Sequence, residues 1–177
     1  MNDINSIYTD LIMEQSTSTH NKKKIENPDK CEMGRNPSCG DEISLSLKMD
    51  GDKIADMAFE GHGCAISQAS TSIMIDLLKG KTREDAKDLV KTFIGMIKRE
   101  ITDDAELEKL EDAQALRNIS NMPARVKCAL LAWHTLEKML WTFEMFLVFL
   151  GTEEKNIQIL CHGDVPFWQK LNFRDVP

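Results

Sequence analysis

Three cysteines and one aspartate occupy short segments that suit them to chemistry at a shared point. Cys39 and Asp41 lie in the segment NPSCGD, Cys64 in GHGCAIS and Cys128 in PARVKC. Three thiolates and one carboxylate are the kind of donors that complete a tetrahedral zinc site. We therefore predict a metal site formed by these four residues, in a protein that handles sulfur.

The local sequence around the first two cysteines favours this interpretation. Gly40 separates Cys39 from Asp41 and lets the backbone bend, so that both side chains can point the same way. Cys64 follows a Gly-His-Gly segment at the start of a predicted helix, where free N–H groups and the helix dipole favour a thiolate. An isolated core cysteine has no need of such glycines, which strengthens the prediction of a metal site.

The third cysteine, Cys128, lies early in another predicted helix, three residues after Arg125 and on the same face. The guanidinium of Arg125 is expected to give electrostatic support to the anionic form of the thiol. Two other interpretations stay open at this point. Cysteine is often buried as a small apolar residue without a function, and the same four donors could hold an iron-sulfur cluster instead of zinc.

The composition limits the class of protein. The chain has 177 residues, 42% of them hydrophobic, which is enough for one domain with a real core. Its formal charge of -7 argues against nucleic-acid binding, because a basic surface is needed to neutralise phosphates. We find neither a signal-peptide pattern nor an apolar run that could span a bilayer, and we expect a cytoplasmic protein without a membrane partner. Five cysteines, an odd number, fit metal-bound or reactive thiols better than a disulfide framework.

Hydrophobic periodicity predicts the elements that must position these residues. Strict alternation at residues 43–49, a turn at 50–52 and an extended run to residue 59 predict an antiparallel hairpin, and residues 31–33 form a candidate third strand. Helices are predicted at residues 4–13, 65–78 and 82–97 and from Asn121 onward, with a short helical stretch within 103–112 and a surface loop at 14–24. The predicted fold class is α+β, a small antiparallel three-stranded sheet with helices packed on one face.

Three segments carry a resemblance to a known family: residues 36–41, FEGHGCAIS at residues 59–67 and PARVKCALLAW at residues 123–133. They closely resemble the SufU/IscU/NifU-N family of iron-sulfur assembly proteins, over about residues 4–140. Scaffold-type IscU members have a histidine directly before the third cysteine, where this chain has Lys127. The long stretch between the second and third cysteines is similar to the insertion typical of SufU members. Both features point to the SufU branch.

The resemblance implies an IscU/SufU-like fold and a zinc ion bound by Cys39, Asp41, Cys64 and Cys128. It further implies a zinc-dependent sulfurtransferase that accepts persulfide sulfur from a SufS-type cysteine desulfurase and serves a downstream iron-sulfur scaffold. In the implied mechanism a desulfurase histidine displaces Cys39 from zinc, and the freed thiolate becomes the sulfur acceptor. Two alternatives stay open: an iron-sulfur cluster scaffold on the same ligands, and a structural zinc module that serves as an interaction protein. Whether such an acceptor and carrier counts as an enzyme also stays open.

The resemblance divides the chain into a SufU-like zinc-binding domain at residues 1–140 and an extension of unknown role at residues 141–177. Four other features attract attention as metal or sulfur sites. His62 and His134 are poorly placed, by turn and helix geometry, to join the cysteines at one metal. Cys31 is expected to be a half-buried strand residue, and the pair Cys161 and His162 lies in the extension.

Overall fold

The structure, a computed structural model, describes residues 3–150, with side chains from residue 10 to residue 141. Three antiparallel strands form one sheet in the order β1-β2-β3: β1 (Lys30–Asn36), β2 (Asp41–Asp50) and β3 (Lys53–His62). The α-helices in this part of the chain are α1 (Asp3–Thr17), α2 (Ala65–Leu78), α3 (Arg83–Lys98), α4 (Asp104–Leu107) and α5 (Pro123–Leu150). A 3-10 segment, Glu108–Asn121, connects α4 to α5. The predicted α+β fold and the third strand are confirmed.

The alternation along β2 separates the two faces of the sheet, since successive side chains of a strand point to opposite sides. Ile43, Leu45 and Leu47 are buried, and Ser44 between them is only half-buried. Leu45 lies opposite Phe59 of β3 in the antiparallel register. Helix α5 contacts β1 and β2, and α2 contacts β3. The helices therefore cover the apolar face of the sheet, as predicted.

A buried tryptophan joins three helices beneath the sheet. The Trp133 ring of α5 stacks on Phe93 of α3 with ring centroids 3.8 Å apart. Its Nε1 donates a hydrogen bond of 2.9 Å to Ser70 Oγ of α2, and that hydroxyl donates one of 2.7 Å to the carbonyl of Ala129. The contacts of Trp133 hold α5, which carries Cys128, in place.

The first helix is longer than predicted. We expected it to end at residue 13 with a loop at 14–24, but α1 continues to Thr17. The hydroxyls of Ser16 and Thr17 donate to the carbonyl of Met13 at 2.9 and 3.0 Å, and Gln15 Oε1 accepts a bond of 2.6 Å from Ser72 Oγ on α2. These polar side chains find hydrogen-bond partners within α1 and on α2. The helix therefore continues to Thr17, although its apolar residues no longer repeat with a helical period.

The segment between α3 and α5 also departs from the prediction. The short helical stretch expected within residues 103–112 continues as the 3-10 segment to Asn121, past a change of backbone direction at Glu111 (φ 49°).

Helix α5 runs without interruption from Pro123 to Leu150, and the division of the chain at residue 140 stays a prediction. Residues 151–177, including Cys161 and His162, lie outside the described residues. Among the described helices, none has both the length and the apolar content needed to cross a membrane.

Candidate metal centre

The four residues predicted to bind metal lie in or near the connections between elements of secondary structure. Cys39 stands in the turn that joins β1 to β2, and Asp41 is the first residue of β2. Cys64 is the N-cap residue of α2, directly after β3. Cys128 lies in the second turn of α5. Since β1 and β3 both pair with β2, the turn, the end of β3 and the start of α2 meet at one edge of the fold.

Three of the four donor groups form a compact cluster. The Sγ atoms of Cys39 and Cys128 are 3.1 Å apart, and these two atoms and a carboxylate oxygen of Asp41 all lie within 4.8 Å of one another. Cys39 is exposed, whereas Asp41 and Cys128 are each about 1% exposed. The cluster therefore presents one thiol to solvent and keeps a thiol and a carboxylate behind it.

The fourth residue, Cys64, is outside this compact cluster but contacts two of its members. Its backbone N–H donates a hydrogen bond of 2.8 Å to Asp41 Oδ1. Its side chain also raises the pKa of the neighbouring Cys128 thiol. Cys64 is half-buried at the N-terminus of α2, next to the cluster, and its role as a metal ligand stays a prediction.

Burial raises the pKa of the Cys128 thiol well above its usual range, and the neighbouring side chains of Cys39, Cys64 and Asp41 raise it further. This direction is opposite to the electrostatic support expected from Arg125. The Arg125 side chain is exposed, and among the described residues it is not one of the groups that shift this pKa. Cys128 is buried whereas Arg125 is exposed, and the electrostatic support expected from Arg125 stays a prediction. A cation inside the cluster is the interaction that would favour the thiolate.

The donor atoms of the cluster fit a metal ion. Asp41 Oδ1 accepts the Cys64 N–H, but the other oxygen, Oδ2, is buried and has no hydrogen-bond partner in the described part of the protein. A buried carboxylate oxygen without a partner is costly, and a metal cation in contact with it would remove that cost. Three cysteine sulfurs and one carboxylate oxygen are a donor set that zinc accepts.

Gly63 leaves the space that the carboxylate needs. A Cβ atom added at this position would lie 3.1 Å from Asp41 Oδ1, 3.2 Å from Ser67 Oγ and 3.3 Å from Asp41 Cβ. These separations are tighter than ordinary van der Waals contacts, so a larger residue would push the carboxylate or the hydroxyl away. Ser67 Oγ is itself buried and has no partner among the described residues. The glycine next to Cys64 therefore serves the packing of Asp41.

Asn36 also lies at the site, although we predicted no role for it from the sequence. Its carbonyl accepts bonds from the N–H groups of Cys39 and Gly40 at 3.2 and 2.9 Å, and its Oδ1 accepts one from Ser38 N at 3.2 Å. Its Nδ2 donates to Cys128 Sγ at 3.5 Å. An asparagine whose side chain accepts a backbone N–H two residues later is typical of tight turns, and the Asn-Pro pair in NPSCGD is the signal that could have revealed it.

The other candidates of the sequence analysis lie elsewhere. His62, at the end of β3, is exposed. His134 is half-buried on α5, where its Nδ1 lies 3.0 Å from Glu137 Oε2. Cys31 is half-buried on β1, with its Sγ 3.4 Å from Ser46 Oγ on β2.

The chain is similar in sequence to known proteins of one family. The family model of the NifU-like N terminal domain matches residues 7–146. The zinc-dependent sulfurtransferase SufU of Bacillus subtilis is 41% identical over 135 residues, which cover 76% of this chain and 90% of that protein. The iron-sulfur cluster assembly scaffold protein IscU of Thermotoga maritima is 38% identical over 134 residues, which cover 76% of this chain and 92% of that protein.

Solved structures show the same fold. A candidate iron-sulfur cluster assembly scaffold protein for the SUF system, from Fervidobacterium islandicum, aligns with a TM-score of 0.71 and 45% identity, covering 76% of this chain and 97% of that one. The N-terminal part of a NifU-like protein from Brucella abortus aligns with a TM-score of 0.69 over 80% of this chain and 97% of that one, and at 22% identity it is evidence for the fold alone. The chain belongs to the NifU-like N-terminal domain family, the family of IscU and SufU.

Proposed function

We propose that this chain accepts persulfide sulfur from a SufS-type cysteine desulfurase and passes it to a downstream scaffold for iron-sulfur cluster assembly. The observation that carries the proposal is the exposed thiol of Cys39, which contacts a buried thiol beside a buried carboxylate oxygen without a partner. The B. subtilis relative is named a zinc-dependent sulfurtransferase, which supports the same function. The cytoplasm is the compartment we propose, since thiols stay reduced there.

Cys39 is the sulfur acceptor in this proposal because it is the exposed member of the cluster. Its thiolate attacks the outer sulfur of a persulfide, Cys–S–SH, on the partner enzyme. A sulfur–sulfur bond forms to Cys39 while the partner's own sulfur–sulfur bond breaks. The partner cysteine leaves as a thiolate, the transferred sulfur keeps its proton, and no oxidant or reductant is consumed.

Cys39, Asp41, Cys64 and Cys128 are the residues that would hold zinc. When bound, zinc keeps the cysteine sulfurs deprotonated at neutral pH. The chain's own contribution is to orient the donors: the turn presents Cys39, the N–H of Cys64 orients the carboxylate of Asp41, and burial shields Cys128 from solvent.

Locating the transferred sulfur tests the acceptor. After incubation of the full-length protein with a SufS-type desulfurase and cysteine, mass spectrometry of its peptides should find one added sulfur atom on Cys39. Cys39→Ala should lose the added sulfur, because the other cysteines in the described part of the chain, Cys31, Cys64 and Cys128, are half-buried or buried. Ser38→Ala is the matched control, since its exposed side chain lies in the same turn and only its backbone N–H bonds to Asn36. Sulfur retained by Cys39→Ala at the wild-type level would contradict the assignment.

The metal content of protein purified from cells separates the proposed function from the cluster scaffold. About one zinc per chain, together with stimulation of the desulfurase, is the expected result. Iron with acid-labile sulfide and visible absorbance would instead indicate a scaffold, the function named for the T. maritima relative. Zinc without any effect on a desulfurase would leave a structural module.

A further inference from the structure

Two thiols of the cluster are chemically alike and in contact, yet sulfur transfer requires one of them to react and the other to stay. The Sγ atoms of Cys39 and Cys128 are 3.1 Å apart. Exposure distinguishes them, but a partner's persulfide that reaches one sulfur comes within a few ångströms of the other. A second difference between the two sulfurs is therefore needed at the level of hydrogen bonding.

The side chain of Asn36 supplies such a difference. Its Nδ2 donates to Cys128 Sγ at 3.5 Å, and in the described part of the chain Cys39 Sγ has a hydrogen bond only with the Cys128 thiol. Asn36 is 5% exposed, so this N–H···S bond is shielded from water. Its Oδ1 is held by the backbone N–H of Ser38, which fixes the amide orientation and turns the NH₂ group toward Cys128.

A hydrogen bond to a thiolate stabilises the sulfur lone pairs and makes them less available for attack on another sulfur. From this we propose that Asn36 is a positioning residue that holds Cys128 as the stationary, unreactive thiolate and leaves Cys39 as the acceptor. The inference rests on the proposed function and assigns to Asn36 the choice between two neighbouring sulfurs. Asn36 acts through its Nδ2 donor group and not only by shaping the turn.

Substitutions can separate the contribution of the Asn36 acceptor, Oδ1, from that of its donor, Nδ2. Asn36→Ser keeps an oxygen that can accept the Ser38 N–H, because serine forms the same kind of turn, but it has no donor that reaches Cys128. Asn36→Asp also keeps the acceptor and replaces the donor with a second oxygen. Asn36→Ala removes both interactions and reports the effect of losing the turn. Ser38→Ala leaves both interactions in place.

Cobalt substitution provides a direct readout. The full-length protein is loaded with Co(II), and the sulfur-to-cobalt charge-transfer band is recorded. Loss of a hydrogen bond to a bound thiolate raises its lone-pair energy, so the band should move to longer wavelength in Asn36→Ser and Asn36→Asp but not in Ser38→Ala. A band at the wild-type position in both Asn36 variants would overturn the inference, whatever the sulfur-transfer activity.

The distribution of transferred sulfur is the second readout. With a desulfurase and cysteine, we expect nearly all of the sulfur on Cys39 and only a small share on Cys128 in the wild-type protein. In Asn36→Ser the share on Cys128 should rise about tenfold, the lower end of what one hydrogen bond to a charged group is worth. Sulfur that stays confined to Cys39 would overturn the inference while leaving the proposed function intact. If the wild-type protein accepts no sulfur, but the cobalt bands of the Asn36 variants shift as expected, the proposed function is overturned. The contact between Asn36 and bound Cys128 would then still be established.

Discussion

At the scale of single residues, Gly63 leaves the space in which the Asp41 carboxylate lies. A Cβ atom at Gly63 would come within 3.1 Å of Asp41 Oδ1 and 3.2 Å of Ser67 Oγ. Asp41 is about 1% exposed, so its carboxylate has little room to move aside. The position of the one predicted oxygen donor, Asp41, is therefore restricted by a residue without a side chain.

Gly63→Ala should lower the affinity for zinc by about 10- to 100-fold, the effect typical of disturbing the residues that orient a metal ligand. Competition with a coloured chelator measures the affinity. Gly51→Ala is the matched control: it introduces the same methyl group at a positive φ of 61°, in the open β2–β3 turn far from the site, and should lose stability without losing zinc. Equal affinities for Gly63→Ala and wild type would show that Asp41 tolerates the methyl group.

The identity of the predicted donors could be read from residue type, because few positions combine cysteine or aspartate with glycine turns. The structure brings the predicted residues to one edge of the fold, and their role as ligands stays a prediction. Two properties were not accessible from the sequence. The raised pKa of Cys128 follows from burial by residues distant in the chain, and the bond from Asn36 to Cys128 joins positions 92 residues apart.

At the scale of elements, the centre depends on how closely α5 approaches β1. Gly34 is buried on β1, and an added Cβ would lie 2.2 Å from Thr135 Oγ1 and 3.2 Å from Leu131 Cδ1 on α5. This close contact lies next to the site, since β1 ends at Asn36 and α5 carries Cys128. A side chain at Gly34 would therefore separate the donor and the acceptor of the N–H···S bond.

Gly34→Ala should destabilise the protein by about 1–3 kcal/mol, because an extra methyl group overpacks the strand–helix contact. Urea unfolding measures the change. Adding Thr135→Ala removes the atom that the methyl group meets first, so the double variant should recover a large part of the loss. Thr135→Ala alone serves as the control, since its hydroxyl donates only to Leu131 of its own helix. Additive losses in the double variant would contradict the proposed steric cause.

Element types followed from periodicity, whereas some element ends did not. The hairpin and the helices α2 and α3 were predicted because their apolar residues repeat with the period of a strand or a helix. The end of α1 was missed because its polar last turn is satisfied by Ser16 and Thr17 bonding back to Met13, a detail of side-chain hydrogen bonding that hydrophobicity does not show. The 3-10 segment was under-predicted since its buried residues, among them Leu110 and Leu116, are interrupted by the irregular backbone at Glu111.

At the scale of the whole molecule, the predicted ligands connect parts of the chain that are far apart in sequence. They come from the β1–β2 turn, the β3–α2 junction and α5. In the proposed function a single zinc ion would join all three. Metal binding to such a set favours the folded state, since an unfolded chain does not hold these donors together.

Removal of zinc should accordingly lower the thermal stability. With free zinc at 100 times its Kd, the metal contributes about 2.7 kcal/mol to the free energy of unfolding, which a chelator would remove. Differential scanning calorimetry with and without the chelator measures the change in Tm. In Cys128→Ser the same chelator should have little effect, because a ligand is missing. An equal decrease of Tm in this variant would mean that the chelator acts on something other than the proposed site.

The short turn that carries Cys39 limits how the protein can exchange sulfur with others. Its ends, Asn36 and Asp41, are paired with each other in the sheet, so only four residues, 37–40, lie between fixed points. Fully extended, four residues span about 14 Å, and a segment tied at both ends can protrude by only about half of that. Cys39 therefore cannot work as a swinging arm that carries sulfur from one docking place to another. In the proposed function, the protein that donates sulfur and the protein that receives it must come to the same surface, one after the other, and cannot be bound there together.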